Sequence, residues 1–155
     1  MMIDDIDAQD RRVLAALQGN CRMSTQELAE KTHMSPATSW RRVRALEERG
    51  IIKTYSAILD RRRLGYAIRA FAYVSIDRAF GAVVEEIASK IAARPEVLEC
   101  YATTGDADFT LHVVAKDIED YDRFLSGFLL NLKGVGQVRS SIALRAVKET
   151  TALPL

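Results

Sequence analysis

The sequence predicts an α+β protein in two parts, a three-helix N-terminal third followed by strands and helices in the order βαββαβ. Three observations predict it. Up to residue 50, apolar residues recur at helical spacing between recognisable caps. From residue 67 onward, period-two apolar runs alternate with two amphipathic helical patterns. Between them, Asp60-Arg61-Arg62-Arg63-Leu64-Gly65 follows neither period and reads as a linker over residues 60–66. The domains are therefore expected at 1–59 and 67–155.

Ile6, Val13, Leu14 and Leu17 have helical spacing, and Gly19 is the expected stop of that helix. Ser24-Thr25-Gln26-Glu27 is an S-x-x-E capping box opening a short helix with Leu28 and Ala29. After a tight turn at Thr32-His33-Met34, Ser35 is a good N-cap and Pro36 suits the first helical position, while Gly50 supplies a left-handed stop. Two short helices joined by so brief a turn, the second basic, fit a helix-turn-helix. Trp40, Val43 and Leu46 form its apolar stripe, with Trp40 expected to pack against the first helix. Ser35, Ala37, Thr38, Ser39, Arg41, Arg42 and Arg44 occupy the remaining surface and are the expected DNA contacts. Hydroxyl and guanidinium donors are what phosphates and base edges accept from. The β-prone stretch Ile51–Leu59 is the expected wing.

The second part begins with a strand over Ala67–Ile76. Phe80, Val83, Val84, Ile87 and Ile91 mark a helix, and Val97–Thr103 and Asp108–Ala115 are strands around the turn signal Gly105-Asp106. Tyr121, Phe124, Leu125, Phe128, Leu129 and Leu132 mark a second helix, capped by Asp117, and a long strand follows from Val135 to about Val147. This order is the ferredoxin-like plan, with both helices on one face of an antiparallel sheet. Phe71 and Tyr73 alternate with Ala70, Ala72 and Val74, so apolar residues fall on both faces and one face is left for an interface. A second copy of the chain is the simplest cover, and a dimer would set two recognition helices a turn of DNA apart.

Composition narrows the function classes. Among 155 residues, 48% are hydrophobic and 28% charged, with a net charge of +1. Residues 35–63 hold 8 Lys/Arg against 3 Asp/Glu, so positive charge gathers around the basic helix. A near-neutral whole argues for a site-specific regulator over a purely DNA-coating protein. Cys21 and Cys100 belong to no metal or disulfide spacing and are expected as buried thiols. His33 and His112 have no partner at ligand spacing, and no nucleophile–base pair or phosphate loop occurs, so neither catalysis nor a metal or cofactor is expected. With no signal or membrane-spanning pattern, the expected location is the cytoplasm, at the nucleoid, with no membrane partner.

The chain resembles the Lrp/AsnC (leucine-responsive, feast/famine) transcriptional regulators along nearly its whole length. The resemblance is carried by Ile6-Asp7, Arg11–Gln18, Glu27-Leu28-Ala29, Ser35-Pro36, Arg42–Ile52, Val97–Tyr101 with Thr104–Phe109, and the tail Lys148–Leu155. It implies a winged helix-turn-helix joined to an effector-binding and dimerisation domain of the RAM/ACT-like kind. It also implies dimers that often close into rings such as octamers, a double-stranded operator with dyad symmetry, and an amino-acid effector. The effector cleft is implied at Thr104, Gly105, Asp106, Ala107 and Asp108, faced by Gly134, Gly136, Ser140, Ser141 and Ala143. From the residues alone, Gly105-Asp106 reads first as a plain turn and Asp108 as a cap of the hairpin. Some relatives of this architecture are sirohaem decarboxylases that depend on histidine and arginine clusters; this chain has two histidines, neither beside an arginine-rich pocket motif.

Overall fold

A computed structural model describes residues 6–77 and 84–155. The chain forms two compact units, one of residues 1–58 with 148–155, the other of residues 59–147.

In the first unit, three helices, α1 (Ala8–Gly19), α2 (Thr25–Thr32) and α3 (Pro36–Glu48), enclose Val13, Leu14, Ala16, Leu28, Val43 and Leu46. Each start is held by a side chain. Asp7 accepts from the Asp10 N–H, Ser24 and Glu27 form a reciprocal capping box, and Ser35 accepts from the Thr38 N–H. These bonds stabilise the ionised carboxylates, so the Asp7 and Glu27 carboxyls lie below their ordinary values, in each case chiefly through the backbone N–H they accept. The two helices of the motif meet at His33, which adopts φ 55° and so turns the chain within three residues. Gly50 closes α3 at φ 69° as expected. Gly19 instead is the last helical residue of α1, and extended Asn20 ends that helix.

Residues 53–60 carry no strand ladder among the described residues, so the expected wing is a single extended segment. It is tied to α3 where the Tyr55 hydroxyl donates to Glu47 Oε1 at 2.9 Å. Burial together with this bond to a carboxylate pushes the Tyr55 hydroxyl up to about 12. The tail, expected in the second domain, groups with the first unit. Its Leu153 N–H donates to Gln18 Oε1 at 2.6 Å, and Gln18 Nε2 returns a bond to the Leu153 carbonyl at 3.1 Å.

In the second unit, β1 (Ile68–Ile76), β2 (Val97–Ala102), β3 (Phe109–Ala115) and β4 (Val135–Ile142) form an antiparallel sheet in the order β2-β3-β1-β4. This is the expected ferredoxin-like order. The expected Phe80 and Val83 of the first helix lie outside the described residues, and α4 is described over Val84–Ala92. The last helix, α5 (Ile118–Gly127), is capped by Asp117 as expected but stops early, and a 3-10 turn at Leu129–Asn131 completes the predicted stretch. Ala70, Ala72, Val74, Phe109, Leu111 and Val113 bury one sheet face against Ile87, Ile91, Tyr121, Phe124 and Leu129. Phe71, Tyr73, Tyr101, His112 and Val114 alternate onto the other face, where Phe71 and His112 stack at 5.4 Å. β4 ends at Ile142 instead of Val147, because Ala143 makes the last bond to β1 and Leu144 and Val147 face solvent. Cys21 is exposed, contrary to expectation; Cys100 is half-buried, and that burial raises its thiol pKa.

Candidate functional site

The two faces of α3 have different jobs. Its inward stripe is Ser39, Val43 and Leu46, spaced i, i+4, i+7. Ser39 is fully buried, and its Oγ lies 3.4 Å from Thr32 Oγ1, which donates to the Leu28 carbonyl at 2.6 Å. Trp40 is 51% exposed. The two positions are the reverse of the expected arrangement, in which Trp40 lies in the stripe and Ser39 at the DNA. A small hydroxyl lets α3 approach α2 closely and satisfies the Thr32 hydroxyl there. An indole at that contact would hold the helices apart, so the helix turns it outward.

Arg42 is corrected as well. Its Nη1 donates to Asp7 Oδ2 at 2.8 Å and to Asp10 Oδ1 at 2.6 Å, and its Nη2 donates to Gln9 Oε1. Its side chain is only 23% exposed, and these carboxylates, Asp10 foremost, raise the guanidinium pKa further. Arg42 clamps α3 to the N-terminus of α1 and is no longer a candidate DNA contact. Arg49 adds a looser contact to Asp10 at 3.9 Å.

What remains outward is Ser35, Ala37, Thr38, Trp40, Arg41 and Arg44. The Ser35 hydroxyl donates to Thr38 Oγ1 at 2.8 Å, which orients both at the start of the helix. The Arg44 guanidinium lies 5.8 Å from the centre of the Trp40 ring. Among the described residues, neither Arg41 nor Arg44 has a carboxylate within ion-pair distance. This face presents unneutralised guanidinium groups, as an anionic duplex requires.

The second site is the β2–β3 hairpin at residues 103–108. Gly105, at φ 110°, makes the turn. The hairpin is fastened to β1 by three bonds. The Asp108 N–H donates to the Val74 carbonyl at 2.9 Å, Asp108 Oδ2 accepts from the Ile76 N–H at 2.6 Å, and the Ser75 hydroxyl donates to the Asp106 carbonyl at 2.9 Å. Thr104, Gly105 and Asp106 are exposed, while Ala107 is buried beneath them. Next to the hairpin, the Asp77 N–H donates to the Gly134 carbonyl, and a Cβ on Gly136 would meet Asp77 and Ser75 atoms at 3.5–3.7 Å. Arg139 Nη2 lies 3.9 Å from the Asp106 carboxylate, whose side chain is 89% exposed.

The expected effector set thus divides. Thr104–Asp108, Gly134 and Gly136 gather at one sheet end, joined by Ser75 and Arg139, which sequence reasoning missed. Arg139 was findable, because the β4 alternation that puts Val138 inside puts Arg139 outside. The other three continue β4 beyond Arg139. Ser140 faces the helices and shares a 2.6 Å hydrogen bond with the Tyr121 hydroxyl; Ser141 pairs with Phe71; Ala143 bonds Arg69 at the far end of β1. Four residue steps separate Ala143 from Arg139, roughly 13 Å at the usual rise. The Asp108 carboxylate also holds the end of β1 through the Ile76 N–H.

Comparison with known proteins decides the family. Residues 69–153 match the Lrp/AsnC ligand-binding domain, and residues 6–53 match a winged helix-turn-helix DNA-binding domain. The chain belongs to the Lrp/AsnC family. It is a transcriptional regulator with a DNA-binding domain and a small-molecule-binding domain. It is 38% identical to the Bkd operon transcriptional regulator of Pseudomonas aeruginosa, over 97% of this chain and 99% of that one. In structure it is similar to a Neisseria meningitidis transcriptional regulator in complex with L-Met, with TM-score 0.93 and 35% identity over 97% of each chain. It is similar also to AsnC of Escherichia coli, with TM-score 0.89 and 27% identity over 97% of this chain and 100% of that one. The Lrp/AsnC relatives at 31–38% identity carry the names of transcriptional regulators. Among the described residues, no group of three or more His, Cys, Asp or Glu is placed to hold a metal, and no helix is long and apolar enough to cross a membrane.

Proposed function

We propose that this Lrp/AsnC regulator binds an amino acid at the Gly105–Ala107 hairpin and reads a two-fold symmetric operator with α3. The observation that carries the effector reading is the opposed pair Asp106 and Arg139, 3.9 Å apart beside a glycine turn. A zwitterion carries the two complementary charges. Its ammonium suits Asp106, and its carboxylate suits Arg139 and the turn N–H groups. The L-Met bound by the Neisseria relative supports the same ligand class. Thr104, Gly105, Ala107, Gly134 and Gly136 would form the walls, and small residues there leave room for an effector side chain.

Isothermal titration of the full chain with each proteinogenic amino acid tests the reading. One of them is expected to bind, and Asp106→Ala is expected to abolish that binding without moving the melting temperature, since Asp106 is solvent-exposed. Undiminished binding by Asp106→Ala overturns the assignment.

The operator reading rests on Ser35, Ala37, Thr38, Arg41 and Arg44 as the contacts, working in the cytoplasm at the nucleoid and without a catalytic step. The uncovered sheet face bearing Phe71, Tyr73 and Tyr101 supports a dimer, because an apolar sheet face is costly to leave in water. Dimers closing into a ring such as an octamer fit the same reading. In sedimentation velocity the full chain is expected to run as a dimer or a multiple of one; a monomer at micromolar concentration overturns this.

A further inference from the structure

We propose that Trp40 is a base-reading residue whose indole recognises the 5-methyl group of thymine in the operator. The inference rests on α3 being the recognition helix. Three observations lead to it. First, the indole is half exposed although α3 has an apolar interior stripe available, and that stripe is filled by Ser39, Val43 and Leu46. On the outward face of α3, beside Ala37, Arg41 and Arg44, the indole is the largest apolar surface offered to a partner docked on that helix.

Second, the ring is held. Arg44, one turn further along, places its guanidinium 5.8 Å from the ring centre, and cation–π attraction at such a distance restrains an exposed indole. Pro36, one turn earlier, has a fixed φ that stiffens the start of the helix. The ring therefore loses little conformational freedom on binding.

Third, the surroundings select the partner. Thr25, Pro36, Ala37 and Trp40 line a shallow open depression of about 340 Å³ beside the start of α3. That is the end of a recognition helix which faces base edges in the major groove. Guanine presents two acceptors there and adenine an acceptor with a donor, patterns that call for a bidentate partner such as Arg or Asn. Thymine alone presents a methyl group, and the side of that depression formed by Pro36, Ala37 and the indole is apolar surface against which a methyl can pack. Arg41, on the same outward face, carries the charged contact, so the outer stripe combines one apolar reader with flanking guanidinium groups.

The test begins with the duplex that the full chain enriches from a randomised library. The enriched half-site is expected to contain a thymine at a position protected by the protein. Replacing that thymine with deoxyuridine removes one methyl and no hydrogen-bonding group. It is expected to weaken the wild-type protein about fourfold, the ~0.8 kcal/mol of one buried methyl group. Trp40→Ala is expected to bind the thymine and deoxyuridine duplexes equally, each more weakly than the wild type binds thymine. Trp40→Leu, which restores an apolar surface, is expected to recover part of the preference for thymine.

A wild-type protein indifferent to deoxyuridine at every thymine of the half-site overturns the proposal. So does a Trp40→Ala variant that keeps the full thymine preference. Either result leaves α3 standing as the recognition helix, whose own failure would show separately as unchanged binding by Arg41→Ala.

Discussion

Arg41→Ala is expected to weaken binding of the enriched operator roughly 5- to 150-fold for each half-site, the ~1–3 kcal/mol of one arginine–base contact. Its melting temperature is expected to stay at the wild-type value. Arg41 is exposed, and among the described residues no carboxylate lies within ion-pair distance of it, so the fold does not depend on it. Arg41→Lys separates charge from geometry. A lysine keeps the phosphate attraction and its salt dependence but loses the planar fork, so affinity for unrelated duplex persists while preference for the operator falls. Titration of the full chain against both duplexes at several salt concentrations reads these arms. Operator affinity unchanged in Arg41→Ala would remove α3 from the interface.

Arg42→Ala, one residue along, is expected to do the reverse. The substitution strips three side-chain hydrogen bonds that join α3 to Asp7, Gln9 and Asp10. Among the described residues, it leaves the Asp10 carboxylate, 9% exposed, with Arg49 at 3.9 Å as its remaining cation. Isolating a nearly buried carboxylate in this way costs about 2–3 kcal/mol, and chemical denaturation of the full chain should show it as a lower midpoint for the first unit. DNA binding would fall with the folded fraction and recover when the protein is stabilised by low temperature. A wild-type midpoint in Arg42→Ala would overturn the clamp. The start of α1 also has a pH signature, set first by the Asp10 N–H that Asp7 accepts and only then by Arg42. Asp7 titrates below its ordinary value, so its contribution is complete above the ordinary carboxylate range and is lost as pH falls through the lowered value. Asp7→Asn should flatten that acid limb. Substituting Arg41 and Arg42 together would merge a contact with a clamp and report neither.

The opposite fates of these neighbours show where sequence reasoning stops. Helix ends were legible because caps are local: Ser24 with Glu27, Ser35 with Pro36, and Gly50 each act within four residues. The strand order followed from element order and the handedness of short connections. The direction in which α3 faces was not legible, because Trp40-Val43-Leu46 and Ser39-Val43-Leu46 are both acceptable helical stripes. Tertiary packing chose the second. The choice required the Thr32 hydroxyl, seven residues away, and a close approach of two helices that no periodicity encodes. Arg42 likewise looked like its exposed neighbours until Asp7 and Asp10, more than thirty residues earlier, were brought beside it.

At the second site the same division holds. The Gly105-Asp106 turn could be placed from its dipeptide alone, since turn chemistry is set by the residues in the turn. The tie that Asp108 makes could not be read there. That role depends on the Ile76 N–H, which only the pairing of β1 with β3 brings within 2.6 Å. Arg139 entered the site through the pairing of β4 with β1, and that same register turns Ser140 toward the helices. Local chemistry in the sequence sets the kinds of element, their ends and their order. Which side chain faces solvent, which is sacrificed to a clamp and which charges meet are long-range matters of packing, and packing decided them.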